Sequence, residues 1–271
     1  MSAIPTDLIA LKSKLKATWE SGDYGVFAKY LEPSAIEFFN RLNILPGTKL
    51  LDIACGAGQL TIPAAKRGIQ VTAIDLAENL VAQARDRAKS EGLNVQIDQG
   101  DAEDLPYADA SFDVVLSLIG AMFAPRPELV ASEMLRVCAP GGKIIMGNWT
   151  LKGFIGQMFA TVGKYLAPSF PSPTLWGDEG TLRKRFAIGI SDLTITPHLY
   201  RFKYPFPPEG VVEFFITYYG PTNRAHSVLN EEARISLKAD LTELWSTQNR
   251  ATDGRTEVLA EYVEVIGIRD R

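Results

Sequence analysis

Asp52, Gly56, Gly58, Asp75 and Asp101 have the types and spacing to hold a charged organic ligand. The run Lys49 to Leu60 reads K-L-L-D-I-A-C-G-A-G-Q-L. An apolar stretch ends in an acid and a small-residue turn, and a helical pattern then begins. A parallel strand feeds a glycine-rich loop and a helix N-terminus in this way. Gly56 and Gly58 let the backbone approach a ligand closely and adopt angles a Cβ would forbid. Asp75 ends the next apolar run, about twenty positions on, where an acid accepts from a ribose hydroxyl pair. Asp101, with the backbone of Ala102, is placed to hold the edge of an adenine. Together these residues describe an adenosine-containing ligand.

The loop discriminates among such ligands. A dinucleotide site offers a third glycine, so that a pyrophosphate sits on the helix N-terminus. Here that position is Thr61, and Asp52 precedes the loop. A carboxylate so close repels a pyrophosphate and favours a ligand bearing an ammonium group. S-adenosylmethionine (SAM), with an adenosine, a sulfonium and an amino-acid end, fits better than a nicotinamide dinucleotide.

These residues need strands that end together. Apolar runs at Leu50–Ala54, Gln70–Ile74, Val95–Gln99, Val114–Ile119 and Lys143–Gly147 alternate with helical patterns at 59–67, 77–91 and 128–137. Strands that alternate with helices, several apolar throughout, argue for a parallel sheet covered on both faces. Before it, Thr6 can cap a helix to about Glu20, and Tyr24 to Leu42 reads as a second, interrupted near Pro33. These aromatic-rich helices either pad an edge of the sheet or also close over the ligand. After Asn148, Phe154–Leu166 and Asp178–Phe186 read as helices around a stiff loop at Pro168, Pro171 and Pro173. Strands are expected at Asp192–Tyr204 and Glu257–Ile268, and helices at 208–219 and 231–248. No linker marks a boundary, so residues 1–271 read as one domain. Helices occupy 1–45, the ligand-binding core 48–148, and cap insertions about 151–190 and 206–250.

The runs L-D-I-A-C-G-A-G, A-I-D-L-A, G-D-A-E-D-L-P-Y, S-F-D-V-V-L-S and L-R-V-C-A-P-G-G-K resemble, in order, the motifs of class I SAM-dependent methyltransferases. Among these the chain is most similar to the small-molecule group that includes the ubiquinone/menaquinone C-methyltransferases. The resemblance covers about residues 48–148. It implies a Rossmann-like, doubly wound α/β sheet of seven strands with the last antiparallel. It also implies cofactor contacts from Asp52, Ala54, Gly56 and Gly58 at the methionine end, and from Asp75 and Leu76 at the ribose. Asp101 and Ala102 would meet the adenine, and Ser117 or Leu118 would lie near the methionine part.

Methyl transfer is an in-line displacement that alignment alone can accelerate, whereas a carbon or alcohol acceptor needs a base. His198 and His226 are the only histidines. His198 reads as structural, and His226, in an irregular stretch beside Tyr218-Tyr219, is the candidate acid or base. Glu213 reads as an exposed carboxylate. Candidate acceptor contacts are Tyr24, Met122, Phe123, Asn148, Trp149, Tyr218 and Tyr219, which suggest a small hydrophobic or aromatic acceptor. Alternatives are a SAM-binding protein that performs no methylation, such as a cyclase, and a nicotinamide-dependent oxidoreductase.

Composition narrows the partners. The 271 residues are 46% hydrophobic with a net charge of -4 and no basic stripe, which disfavours a nucleic-acid partner. No window approaches the ~20 apolar residues of a membrane span, and the N-terminus lacks a signal pattern. Cys55 and Cys138 are too few for a disulfide framework or a zinc cluster, so no metal is expected. Cys55 reads as a residue chosen for small size. A cytoplasmic protein with a small-molecule substrate is expected, and the residues specify no oligomeric state.

Overall fold

The computed structural model describes residues 6–167 and 171–271. Three helices come first: α1 (Thr6–Trp19), α2 (Tyr24–Ala28) and α3 (Glu32–Arg41). The single interrupted helix expected over 24–42 is two. The break falls at 29–31, and Pro33 sits in the first turn of α3, where its missing N–H would have had no helical partner. The side chain of Thr6 and all of Pro168 lie outside the described residues.

The core alternates as its apolar runs require. It comprises β1 (Lys49–Ile53), α4 (Thr61–Lys66), β2 (Gln70–Asp75), α5 (Glu78–Ser90) and β3 (Gln96–Gln99). It continues with β4 (Phe112–Leu118), a 3-10 turn at Ala121–Phe123, α6 (Pro127–Val137) and β5 (Cys138–Trp149). Between β5 and β6 (Ile190–Tyr204) lie α7 (Phe154–Gly163), a 3-10 turn at Pro173–Gly177 and α8 (Glu179–Arg185). Between β6 and β7 (Thr256–Arg269) lie α9 (Pro208–Tyr218), α10 (Gly220–Val228) and α11 (Glu231–Gln248). The α10 helix replaces the irregular stretch expected around His226. Pro221 in its first turn is a helix-start signal.

The seven strands form one sheet in the order β3-β2-β1-β4-β5-β7-β6. Strands β1 to β5 are parallel, and β7 runs antiparallel to both β5 and β6. Chain order reverses between β1 and β4, so the connections leaving these strands diverge. A crevice opens at such a switch point, beyond the carboxyl ends of the strands. The last four residues of β1 are all buried, which fixes the strand that carries the loop. Farther along the sheet, Trp245 of α11 is 1% exposed and packs on Phe154, Phe202, Tyr204 and Phe215. These rings tie the cap helices to β6.

Candidate functional site

A cavity of about 1120 Å³ fills the crevice beyond β1, β2 and β4. Asp52, Ala54, Gly56, Asp75, Leu76, Asp101, Ala102 and Leu118 all line it. Residues separated by many positions in sequence therefore meet because parallel strands end on one side.

The turn after β1 is held open by unusual backbone. Gly56 has φ +56°, and a Cβ there would lie 2.9 Å from the Gln59 side-chain oxygen. Ala54 has φ +57° and Ile119, just after β4, φ +55°. A β-branched residue in this region is rare, and such strain concentrates at ligand sites. Both residues line the cavity at the two strands flanking the switch point. Gly120 brings them together: a Cβ on it would stand 2.5 Å from the Cβ of Ala54. No sequence signal marked Ile119.

Two buried acids shape the loop. The Thr61 hydroxyl donates to Asp52 Oδ2 at 2.6 Å, so the residue in place of the third glycine partners the carboxylate. Asp52 is 3% exposed. Burial first, and Asp75 nearby, push its carboxyl up to about 7 against the Thr61 hydrogen bond. Asp75 Oδ2 accepts from Gly56 N at 2.8 Å and Oδ1 from Ala77 N at 2.9 Å. Burial raises its pKa, opposed by these backbone donors. Asp75 thus fixes the glycine loop while facing the cavity. Cys55 is buried, and burial followed by the charges of Asp75 and Asp52 raises its thiol pKa well above the ordinary range. The thiol is held protonated, in keeping with a role of size.

The first helix covers this site. Lys12, Leu15 and Trp19, one face of α1, line the cavity with the core residues. Lys12 pairs with Asp101 and lies 2.6 Å from Glu103. The Glu103 carboxylate is fully buried and also accepts from the backbone N and Nε of Arg126, at 2.6 and 2.7 Å. The N-terminal helices therefore do more than pad an edge of the sheet: α1 lies over the cavity. Lys12 and Trp19 went unrecognised because α1 lies outside the strand pattern of the core, and Glu103 because its partners Lys12 and Arg126 meet it only in the fold.

Other expected residues are placed differently. Gly58 does not line the cavity; its Cα faces Ile62 and Ala84, where it lets α4 pack on α5. Ser117 is also away from it, its hydroxyl donating to Ile53 O at 2.8 Å and accepting from Ala121 N at 2.9 Å. Leu118 is the one of that pair at the cavity.

A second cavity of about 330 Å³ adjoins the first and shares Trp19, Tyr24, Leu31, Ile119 and Phe123 with it. Trp149 and Tyr219 line only the second. Tyr24, Phe123, Trp149 and Tyr219 therefore gather as expected, with Phe27, Phe202 and Phe215 beside them. Met122, Asn148 and Tyr218 line neither. Strand alternation turns Asn148 to the opposite face from Trp149, and Tyr218 packs on Phe214. His226 lies on α10 outside both cavities, with its carbonyl accepting from Arg234 Nε at 2.9 Å. The helix that replaced the irregular stretch carries it away. His198 stacks on Tyr262 and lies 3.8 Å from Glu264, a structural position. Glu213 is exposed and paired with Lys238.

A doubly wound sheet of this order, with a glycine turn and acids from β1, β2 and the end of β3 around one cavity, defines a class I SAM-dependent methyltransferase. Comparison with known proteins agrees. Residues 51–146 match the family model described as "Methyltransferase domain". An uncharacterized protein of Mycobacterium tuberculosis is 35% identical over 229 residues, covering 83% of this chain and 84% of its own. A demethylmenaquinone methyltransferase of Bacillus cytotoxicus is 34% identical over 135 residues, 48% of this chain and 57% of that one. The phosphoethanolamine N-methyltransferase 2 of Haemonchus contortus, solved with S-adenosylhomocysteine, superposes with a TM-score of 0.54 at 19% identity. That superposition covers 87% of this chain and 52% of that one. The chain belongs to the class I SAM-dependent methyltransferase family. Among the described residues, no helix is long and apolar enough to cross a membrane.

Proposed function

We propose that the protein transfers a methyl group from SAM to a small hydrophobic or aromatic molecule. The observation that carries this reading is the pair of adjoining cavities joined at Trp19, Tyr24, Leu31, Ile119 and Phe123. One is lined by acids and backbone, the other by rings. The first suits SAM, which supplies an electrophilic methyl group. Asp52, Ala54 and Gly56 would hold its amino-acid end, Asp75 and Leu76 the ribose, and Asp101 with Ala102 the adenine. Gly58 and Ser117 would shape this site from behind.

The chain's own part is binding, alignment and exclusion of water. The strained turns at Ala54 and Ile119 bring the backbone of β1 and β4 to the junction. Trp19, Tyr24 and Phe123 wall it, so donor and acceptor meet in line and away from solvent. Such an enzyme would act on a small molecule rather than on nucleic acid, in a cytoplasmic setting. Calorimetric titration tests the donor assignment: S-adenosylhomocysteine should bind, and NADH should not. Binding of NADH without S-adenosylhomocysteine would favour an oxidoreductase. Release of S-adenosylhomocysteine with hydrophobic acceptors tests transfer against a non-methylating use of SAM.

A further inference from the structure

The ring-lined cavity also specifies how its acceptor must arrive. None of its lining residues is an Asp, Glu, His, Lys or Arg. Its only side-chain polar atoms are the indole N–H groups of Trp19 and Trp149 and the hydroxyls of Tyr24 and Tyr219. The acids next door line the adjoining cavity: none of Asp52, Asp75 and Asp101 lines this one. Both histidines lie elsewhere. Among the described residues, no side chain is therefore stationed to take a proton from an acceptor held between these rings.

The tyrosines at the junction cannot fill that role. Burial, followed by the charge of Asp75, raises the phenol pKa of Tyr24 far above neutrality. Burial does the same for Tyr219. Tyr24 packs on Tyr219, and Asp75 is the carboxylate whose charge acts on its phenol. Tyr200 spends its own hydroxyl on Leu31 O at 2.6 Å. Tyr24 and Tyr219 remain protonated and present O–H donors, which suit an anion.

Resting on the methyl-transfer reading above, we propose that the acceptor is an aromatic compound whose nucleophile is already ionised near neutral pH, an acidic phenol or enol. It enters the ring-lined cavity as the oxyanion. The oxygen forms the new bond to the methyl carbon as the carbon–sulfur bond breaks, and the bond pair stays on sulfur. The negative charge of the acceptor and the positive charge of the sulfonium vanish together. No proton moves and no further reactant is needed. An unactivated alcohol would require a base that the cavity lacks. An amine would leave a cation there with no carboxylate to balance it.

Para-nitrophenol, whose anion alone absorbs in the visible, is the probe. It is titrated into the protein saturated with SAM and, separately, with S-adenosylhomocysteine, across a range of pH. With SAM it should bind as the anion, its apparent pKa lowered by about one unit, a roughly tenfold preference. With S-adenosylhomocysteine, whose sulfur is neutral, that shift should shrink. Tyr24→Phe keeps the ring and should also reduce it. Formation of S-adenosylhomocysteine should follow the fraction of probe ionised to a plateau, while benzyl alcohol yields none. Binding as the neutral phenol in both complexes, no binding in either, or methylation of benzyl alcohol at a similar rate overturns the proposal. Failure of S-adenosylhomocysteine to bind the wild-type protein instead overturns the donor assignment.

Discussion

Asp75 illustrates how one side chain can serve structure and ligand at once. Its two oxygens accept from Gly56 N and Ala77 N, and a carboxylate retains lone pairs for further donors. Asp75→Ala would remove the proposed ribose partner and free the glycine loop. Hydrogen bonds to a charged group contribute about 1.5–3 kcal/mol each, so affinity for S-adenosylhomocysteine should fall about a hundredfold. Unchanged affinity by calorimetry would exclude the ribose role. Asp52 leads to a pH dependence. Its pKa is raised from 3.8 to about 7 by burial, so its protonated form belongs to the folded, ligand-free protein. The stability this contributes is full below the unfolded value and is lost as pH rises through about 7. A ligand ammonium favours the ionised form, so binding should release a proton. Affinity for S-adenosylhomocysteine should therefore rise with pH, by up to about tenfold per unit, and level off above about 7. Asp52→Asn should flatten the curve, and a curve of the same slope in that variant would refute the assignment.

Among the elements, α1 decides access. No described residue of this helix is fully buried, yet it roofs the donor cavity through Lys12, Leu15 and Trp19. Its far end is fixed by Trp19 against Tyr24, Phe123 and Tyr219, and by the turn at Gly22, where φ is +73°. A Cβ on Gly22 would stand 2.8 Å from Thr217 O, so α1 leaves this turn in one direction. Towards its start, the link to the core is Lys12 to Asp101 and Glu103. The Lys12–Asp101 pair is partly exposed, and such pairs contribute up to about 1 kcal/mol. Lys12→Met should accelerate amide exchange in α1 roughly fivefold with little change in the core. Exchange equal to wild type would show that Lys12 does not secure the helix. The sequence places Leu8, Leu11, Leu15 and Trp19 on one face of α1, of which Leu15 and Trp19 line the cavity. It could not say that the surface beneath was a ligand cavity, because that surface is built from three other strands.

At the scale of the whole molecule, the cap is anchored where β6 and β7 extend beyond the core. Trp245 joins α11 to α7, α9 and β6 through Phe154, Phe215, Phe202 and Tyr204. Trp245→Ala should cost about 3–5 kcal/mol and lower Tm by roughly 10 °C. A shift of a degree or two in a thermal melt would mean that the rings reclose around the gap. The strand at the free edge, β6, carries Pro197 midway. A proline cannot donate from an edge strand, which discourages pairing with another chain.

The sequence by itself determined the half of the site proposed for the donor. Strand-ending acids, a glycine turn and alternating apolar runs are local patterns, and each follows from the conformation of a few adjacent residues. Asp52, Asp75, Asp101 and their neighbours therefore fell into one cavity once the strands were parallel. Only the tertiary structure decided the half proposed for the acceptor. Trp19, Tyr24, Phe123, Trp149 and Tyr219 come from α1, α2, a turn after β4, the end of β5 and the α9–α10 junction. An aromatic residue has the same pattern in a core as in a binding cavity, so these could not be told from Met122 or Tyr218 by spacing. Likewise His226 was a candidate only while its helix was unseen. Local propensity can place an element, but which face of it meets a cavity depends on all the elements packed around that space.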